Sequence, residues 1–287
     1  MSVDAAPQTV TFRGVDDLAL VADEWNRGAD AAAGGPTILM LHGGGQNRFS
    51  WKNTGQTLAD AGYHVIALDS RGHGDSDRAP NGNYSIEALC EDTLQVLYQI
   101  GRPVVLIGAS MGGLTGIQAA HEAGPELVTR LVLVDVVPKF EKDGSARIRD
   151  FMASGLEGFA SLDEAADAVA AYLPHRPKPR SVEGLKKNLR LRADGRWYWH
   201  WDPAFLTKPQ DDPYQRFQKL EQAAVNLEVP ILLIRGKLSD VVSEEGVRDF
   251  LAKVPQAEFV ELADAGHTAA GDDNDAFTDV VVKFVSR

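Results

Sequence analysis

Only one cysteine, Cys90, occurs in 287 residues, so no internal disulfide can form. It falls at an apolar position of a helix-like stretch, residues 86–100, and reads as a small buried hydrophobe. No apolar run approaches the roughly 20 residues needed to cross a bilayer. The first ten residues have neither a basic start nor an apolar stretch of the secretory kind, so the expectation is a cytoplasmic protein without a membrane partner. Positive charge is scarce: 29 Lys and Arg stand against 41 Asp and Glu, a net charge of −12, which opposes binding to a phosphate backbone and leaves nucleic acid out as a partner. Metal-binding spacing is lacking too. The seven histidines are scattered, no C-x-x-C or H-E-x-x-H occurs, and the acidic group Asp272, Asp273, Asn274 and Asp275 reads as the cap and first turn of a last helix. Neither a metal nor a cofactor is expected.

What is present is a large apolar fraction, 44%, arranged in short buried runs. Two antiparallel-looking strands near residues 10–13 and 18–24 precede a small-residue linker. Strand and helix patterns then alternate: strand 38–41, helix 51–62, strand 64–68, helix 86–100, strand 104–107, helix 111–122, strand 130–134. That order predicts an α/β fold with a mostly parallel central sheet and helices on both faces. The alternation stops at Val136-Val137-Pro138 and resumes near Tyr214. A gap of roughly 75 residues is too long for a structureless loop in a compact domain. The division expected is therefore a core of residues 1–137 and 214–287 with an inserted helical cap of residues 138–213. Within the cap, Ser161 and Glu164 signal the start of a helix over 161–172, and Leu185 and Leu189, four apart, predict a second over 181–191.

The most informative segment is Val104-Val105-Leu106-Ile107-Gly108-Ala109-Ser110-Met111-Gly112-Gly113, an apolar strand that enters G-x-S-x-G and then a helix. This is the sequence form of a nucleophile elbow: a tight strand-to-helix turn lifts the serine clear of the sheet, and glycines stand where a Cβ would strike neighbouring backbone. Upstream, the run Thr37-Ile38-Leu39-Met40-Leu41 opens into His42-Gly43-Gly44-Gly45. Acyl transfer develops an oxyanion, and preorganised N–H donors stabilise it. The two donors expected are the backbone N–H groups of Gly44 and of Met111, with Gly43 beside the substrate and His42 bracing the loop. Downstream, Asp240 follows the strand Ile231-Leu232-Leu233-Ile234, and His267 follows the strand Ala257-Glu258-Phe259-Val260-Glu261-Leu262. Chain order Ser, acid, His favours Ser110, Asp240 and His267 as a triad. Asp135, at the end of the strand Leu131-Val132-Leu133-Val134, is the rival acid.

Together with the loop Asp69-Ser70-Arg71-Gly72-His73-Gly74, these motifs resemble the α/β-hydrolase superfamily across most of the chain. The nearest resemblance is to its capped serine branch of carboxylesterases and cofactor-free haloperoxidases, with the cap inserted after the sixth strand. Serine rather than aspartate at the elbow disfavours epoxide hydrolases and haloalkane dehalogenases, and Ala109 departs from the C–C hydrolases, which carry Asn there. The resemblance implies a serine hydrolase that cleaves small to medium carboxylic esters through an acyl-enzyme. Perhydrolase, lactone or C–C bond chemistry on the same triad, or a non-catalytic ligand-binding relative, are the alternatives.

Two features of the cap bear on substrate choice. Trp197, Tyr198, Trp199, Trp201 and Phe205 concentrate aromatic area in nine residues, and Trp197 and Trp199 are candidates to roof a pocket. Residues 175–200 carry eight Lys or Arg against two acids, which singles out Arg190 as a candidate contact for an anionic substrate.

Overall fold

The computed structural model describes residues 6–27, 35–139, 141–174, 181–207, 212–263 and 275–287. In chain order the strands and helices are β1 (Gln8–Arg13), β2 (Ala19–Trp25), β3 (Thr37–Leu41), α1 (Lys52–Asp60), β4 (Val65–Leu68), α2 (Ile86–Ile100), β5 (Val104–Ala109), α3 (Met111–Ala123) and β6 (Val128–Val134). Next come α4 (Lys142–Ala153), α5 (Leu162–Tyr172), β7 (Leu189–Leu191), β8 (Trp197–Trp199), α6 (Ala204–Thr207), α7 (Pro213–Val225), β9 (Ile231–Gly236), α8 (Glu244–Lys253), β10 (Ala257–Leu262) and α9 (Asp275–Val285).

Eight strands form one sheet in the order β1-β2-β4-β3-β5-β6-β9-β10. β1, β2 and β4 pair antiparallel, and from β4 onward every pair is parallel. The Val, Ile and Leu runs are fully buried because helices cover both faces, and the period of two sorts alternate residues to opposite sides. Leu39, Leu41, Leu106, Leu131, Leu133 and Leu233 face a core shared with α2, α3, α7 and α8. Ile38, Met40, Val105, Ile107, Val132 and Ile234 face the other, where Leu58 of α1 and Phe277, Val281 and Phe284 of α9 close it. Local signals set the helix ends: Ser85 Oγ accepts the Ala88 N–H at the start of α2, and Gly101 ends it with φ 67°. Cys90 lies buried in this core, as its position in the helical pattern predicts.

The stretch between β6 and α7 has a smaller core of its own, built on Met152, Phe159, Ala165, Leu189, Trp199 and Trp201. α5 begins where Ser161 Oγ accepts the Glu164 N–H, as its sequence predicts. The helix predicted over 181–191 does not form. A 3₁₀ turn, Val182–Lys187, leads instead into β7, which pairs antiparallel with β8. Asp194-Gly195 supplies the turn, with Gly195 at φ 80° and the Gly195 N–H bonded to Arg192 O at 3.0 Å. No helix among the described residues is long and apolar enough to cross a membrane.

Candidate active site

The parallel register brings the motif-bearing loops to one edge. Leu41 of β3 pairs with Gly108 of β5, Ala109 of β5 with Val134 of β6, and Val134 with Ile234 of β9. The residues just beyond, His42, Ser110 and Asp135, therefore emerge side by side at the carboxyl end of the sheet.

Ser110 sits between β5 and α3 at φ 48°, ψ −114°, a conformation that L-residues seldom adopt. The turn is close enough that a Cβ on Gly108 would run into the Gly112 carbonyl, and one on Gly112 into the Leu41 carbonyl. Both glycines are thus required by backbone approach.

Beside Ser110 lies the glycine loop that follows β3. A Cβ on Gly43 would come within 3.4 Å of Ser110 Cβ, so this main chain borders the serine. The Gly43 N–H is taken by Gln46 Oε1 at 3.0 Å and the Gly45 N–H by His73 Nε2 at 3.2 Å. Among the described residues the N–H groups of Gly44 and Met111 have no partner, which leaves two donors open on either side of Ser110.

Three buried histidines lie close by, and two of them, His42 and His73, bond the glycine loop. His42 Nε2 accepts the Ser70 N–H at 3.0 Å, which leaves Nδ1 to donate to Gly43 O at 2.8 Å. His42 braces the loop in the way its position predicts. His73 stacks obliquely on His42 with centroids 5.1 Å apart, and His200 accepts the Gly74 N–H at Nδ1 over 2.7 Å. Burial pushes the His42 imidazole down to about 4 and that of His73 down to about 3, and lowers His200 as well. All three are neutral at physiological pH, and each uses a ring nitrogen to accept a backbone N–H.

A cavity of about 620 Å³ opens over Ser110, Met111, Gly43 and Gly44. About half of its lining comes from the stretch between β6 and α7, including Phe151, Tyr172, Leu185, Trp199, Trp201 and Phe205. Trp199 and Trp201 stack at 4.9 Å, and Phe205 lies edge-on to His73 at 5.2 Å. Phe205 Cζ is 3.7 Å from where a Cβ on Gly44 would stand, so this ring packs against Gly44. Tyr172 stacks on Phe151 at 4.2 Å, and its hydroxyl is pushed up to about 12, by burial first and then by the negative charge of Asp240.

The other sequence candidates are placed differently. Trp197 lies outside the cavity lining, its backbone bonded to Phe159 in both directions at 2.7 and 2.8 Å. Arg190 also lies outside it: the guanidinium binds Asp75 Oδ1 at 2.6 Å and Gly74 O at 3.1 Å, which fastens β7 to the core. Asp240 has a side chain 41% exposed and is ion-paired with Arg147 of α4. Asp135 is fully buried. Asp264, His267 and the acidic group 272–274 lie outside the described residues. Among those described, no cluster of three or more His, Cys, Asp or Glu side chains could hold a metal ion. Sequence reasoning missed Gln46, Phe151 and Tyr172. Nothing in the spacing of Gln46 from Gly43 marks it, and the two aromatics stand apart from the Trp cluster that drew attention.

A family profile described as alpha/beta hydrolase fold matches residues 36–273. Esterase Rv0045c of Mycobacterium tuberculosis is 30% identical over 253 residues, covering 86% of this chain and 81% of that protein. The mouse sn-1-specific diacylglycerol lipase ABHD11 is 29% identical over 271 residues, covering 88% and 81%. The crystal structure of an alpha/beta hydrolase from Novosphingobium aromaticivorans superposes with a TM-score of 0.83 at 25% identity, over 98% of this chain and 99% of that one. By the extent of the family match, which takes in the serine turn, the glycine loop and most of the sheet, this chain belongs to the alpha/beta hydrolase fold family.

Proposed function

We propose that the protein is a serine hydrolase cleaving carboxylic esters of small to medium size, with residues 138–213 acting as a cap over the site. The observation that carries this reading is the pair of unpartnered N–H groups, Gly44 and Met111, flanking Ser110 on the floor of the cavity. Two donors beside a serine raised on a positive-φ turn suit an oxyanion, each worth about 3–4 kcal/mol in the transition state. Relatives named as an esterase and a diacylglycerol lipase support an ester as the bond cleaved.

In the mechanism that follows, Ser110 Oγ attacks the ester carbonyl while His267 takes its proton, and the Gly44 and Met111 N–H groups hold the oxygen that becomes negative. Collapse expels the alcohol, protonated by His267, and leaves an acyl group on Ser110. Water, deprotonated by His267, then attacks the acyl carbonyl, and the carboxylic acid leaves as Ser110 regains its proton. A carboxylate must hold the imidazole tautomer and offset its charge, and chain order offers Asp240 with Asp135 as rival. The apolar walls suit the acyl chain, and the cap aromatics exclude water from the reacting carbonyl. Turnover of p-nitrophenyl esters of increasing acyl length tests the reading: the wild type hydrolyses them with a chain-length optimum, and Ser110→Ala abolishes turnover without altering the fold. Ester turnover that survives Ser110→Ala contradicts it.

A further inference from the structure

We propose that Asp135, at the carboxyl end of β6, rather than Asp240, is the carboxylate that positions the catalytic imidazole. This rests on the serine-hydrolase reading and refines it.

Position along the sheet is the first support. Ser110 and Asp135 each follow a pair of residues in register, Ala109 and Val134, so the acid leaves the sheet one strand from the nucleophile. It stands on the side that leads through β9 to β10, after which His267 follows in sequence. Its backbone is fixed by the bond from Asp135 N–H to Ile234 O at 2.7 Å. At φ 51° it is one of the few residues besides glycine in the left-handed region, and Ser110 is another. Backbone in that region persists where surrounding structure over-determines it, and it concentrates at functional sites.

The environment of the carboxylate is the second. Asp135 is 0% exposed, and its oxygens accept the Gly236 N–H at 3.2 Å and the Ser239 hydroxyl at 2.5 Å. Ser239 Oγ itself accepts the N–H groups of Val241 and Val242, both at 3.2 Å, so the loop after β9 is folded around this serine and presents its hydroxyl to Asp135. A carboxylate out of water acts on a neighbouring imidazolium about fourfold more strongly than one in bulk water. Asp240 sits in the opposite setting. It is on the outer side of the same loop, half exposed, with its charge engaged by Arg147. Its main chain is part of a seam with α4, where a Cβ on Gly144 would stand 2.9 Å from Asp240 O. The structure gives Asp240 a part in joining the insertion to the core.

In the step assigned to it, Asp135 accepts a hydrogen bond from imidazole Nδ1–H while Nε2 receives the proton of Ser110. The carboxylate takes up no proton, and the positive charge stays on the ring.

The test compares Asp135→Asn and Asp240→Asn in the full chain with a p-nitrophenyl ester, over pH 6 to 10, beside proton NMR of the imidazole Nδ1–H resonance. Asp135→Asn should lower kcat about 10³- to 10⁴-fold at neutral pH, the scale expected when the tautomer is wrong, with KM little changed and part of the loss regained as pH rises. It should also remove the far-downfield resonance. Asp240→Asn should lose less than about tenfold and keep both the resonance and the shape of the pH profile. If Asp135→Asn does not fold, Ser239→Ala, which withdraws one donor and leaves the carboxylate, should lower kcat and move the resonance. The large loss falling on Asp240→Asn, equal losses in both variants, or an unmoved resonance in Ser239→Ala would overturn the proposal. A wild type that turns over no ester overturns the hydrolase reading instead, and is recognised before either variant is compared.

Discussion

Arg190 Nη2 donates to Asp75 Oδ1 at 2.6 Å, and the other oxygen of that carboxylate accepts from Arg48 Nη1 at 2.8 Å. One aspartate thus joins the β7–β8 hairpin to the buried Arg48, which also binds Asp23 at 2.9 Å and Asp69. Arg190→Ala should therefore loosen the insertion. Because Arg190 and Asp75 are 39% and 46% exposed, the loss should be about 1 kcal/mol or less. KM should change alike for a neutral ester and for one bearing a free carboxylate. A selective rise for the anionic ester, measured at low and high salt, would restore the recognition role that sequence suggested.

Why the sequence misplaced Arg190 is plain from its surroundings. A basic residue in a basic stretch offers a reader nothing about Asp75, 115 positions earlier. The predicted helix over 181–191 fails for a related reason: Leu185 and Leu189 fit a helical period, but Leu189, Arg190 and Leu191 pair with Trp199, Tyr198 and Trp197, partners further along the chain that a local period does not reveal. The Asp194-Gly195 turn was the overlooked signal. Gly108 and Gly112 were legible because close backbone approach fixes residue type at those points. Chain order admits both Asp135 and Asp240, and what sets them apart, burial of the one and exposure of the other, is a tertiary property that no local pattern carries.

Acid should weaken the fold through its neutral histidines. Burial lowers His42 to about 4 and His73 to about 3, below the unfolded value of about 6.5. A group whose folded value is depressed contributes stability that is complete above the unfolded value and is lost as pH falls through the folded one. Stability should hold above about pH 6.5 and decline below it, by a few kcal/mol in all toward pH 3. Urea midpoints at pH 7.5, 6 and 5 check this; a flat series would contradict it.

Glycine demand at the serine turn can be measured directly. Gly108→Ala should cost more than about 3 kcal/mol, because its new carbon meets backbone that cannot move aside. Gly184→Ala, with nothing within 4 Å, should stay within about 0.5 kcal/mol of the wild type. Thermal unfolding of the two variants separates them, and similar melting temperatures would refute the steric account.

Removal of the ring against Gly44 should affect turnover more than stability. Phe205→Ala enlarges the cavity beside Gly44 and should reduce kcat by about ten- to a hundredfold, the scale on which a loosened site loses rate. Its optimum acyl length should shift as well. An unchanged kcat and chain-length profile would mean that Phe205 only packs on His73.

The central claim is that Ser110 is the nucleophile, and covalent trapping tests it most directly. A fluorophosphonate added to the wild-type protein should attach once per chain, with peptide mass spectrometry locating the adduct on Ser110, and Ser110→Ala should take none. An adduct on any other residue, or an unmodified wild type at saturating probe, would contradict the account.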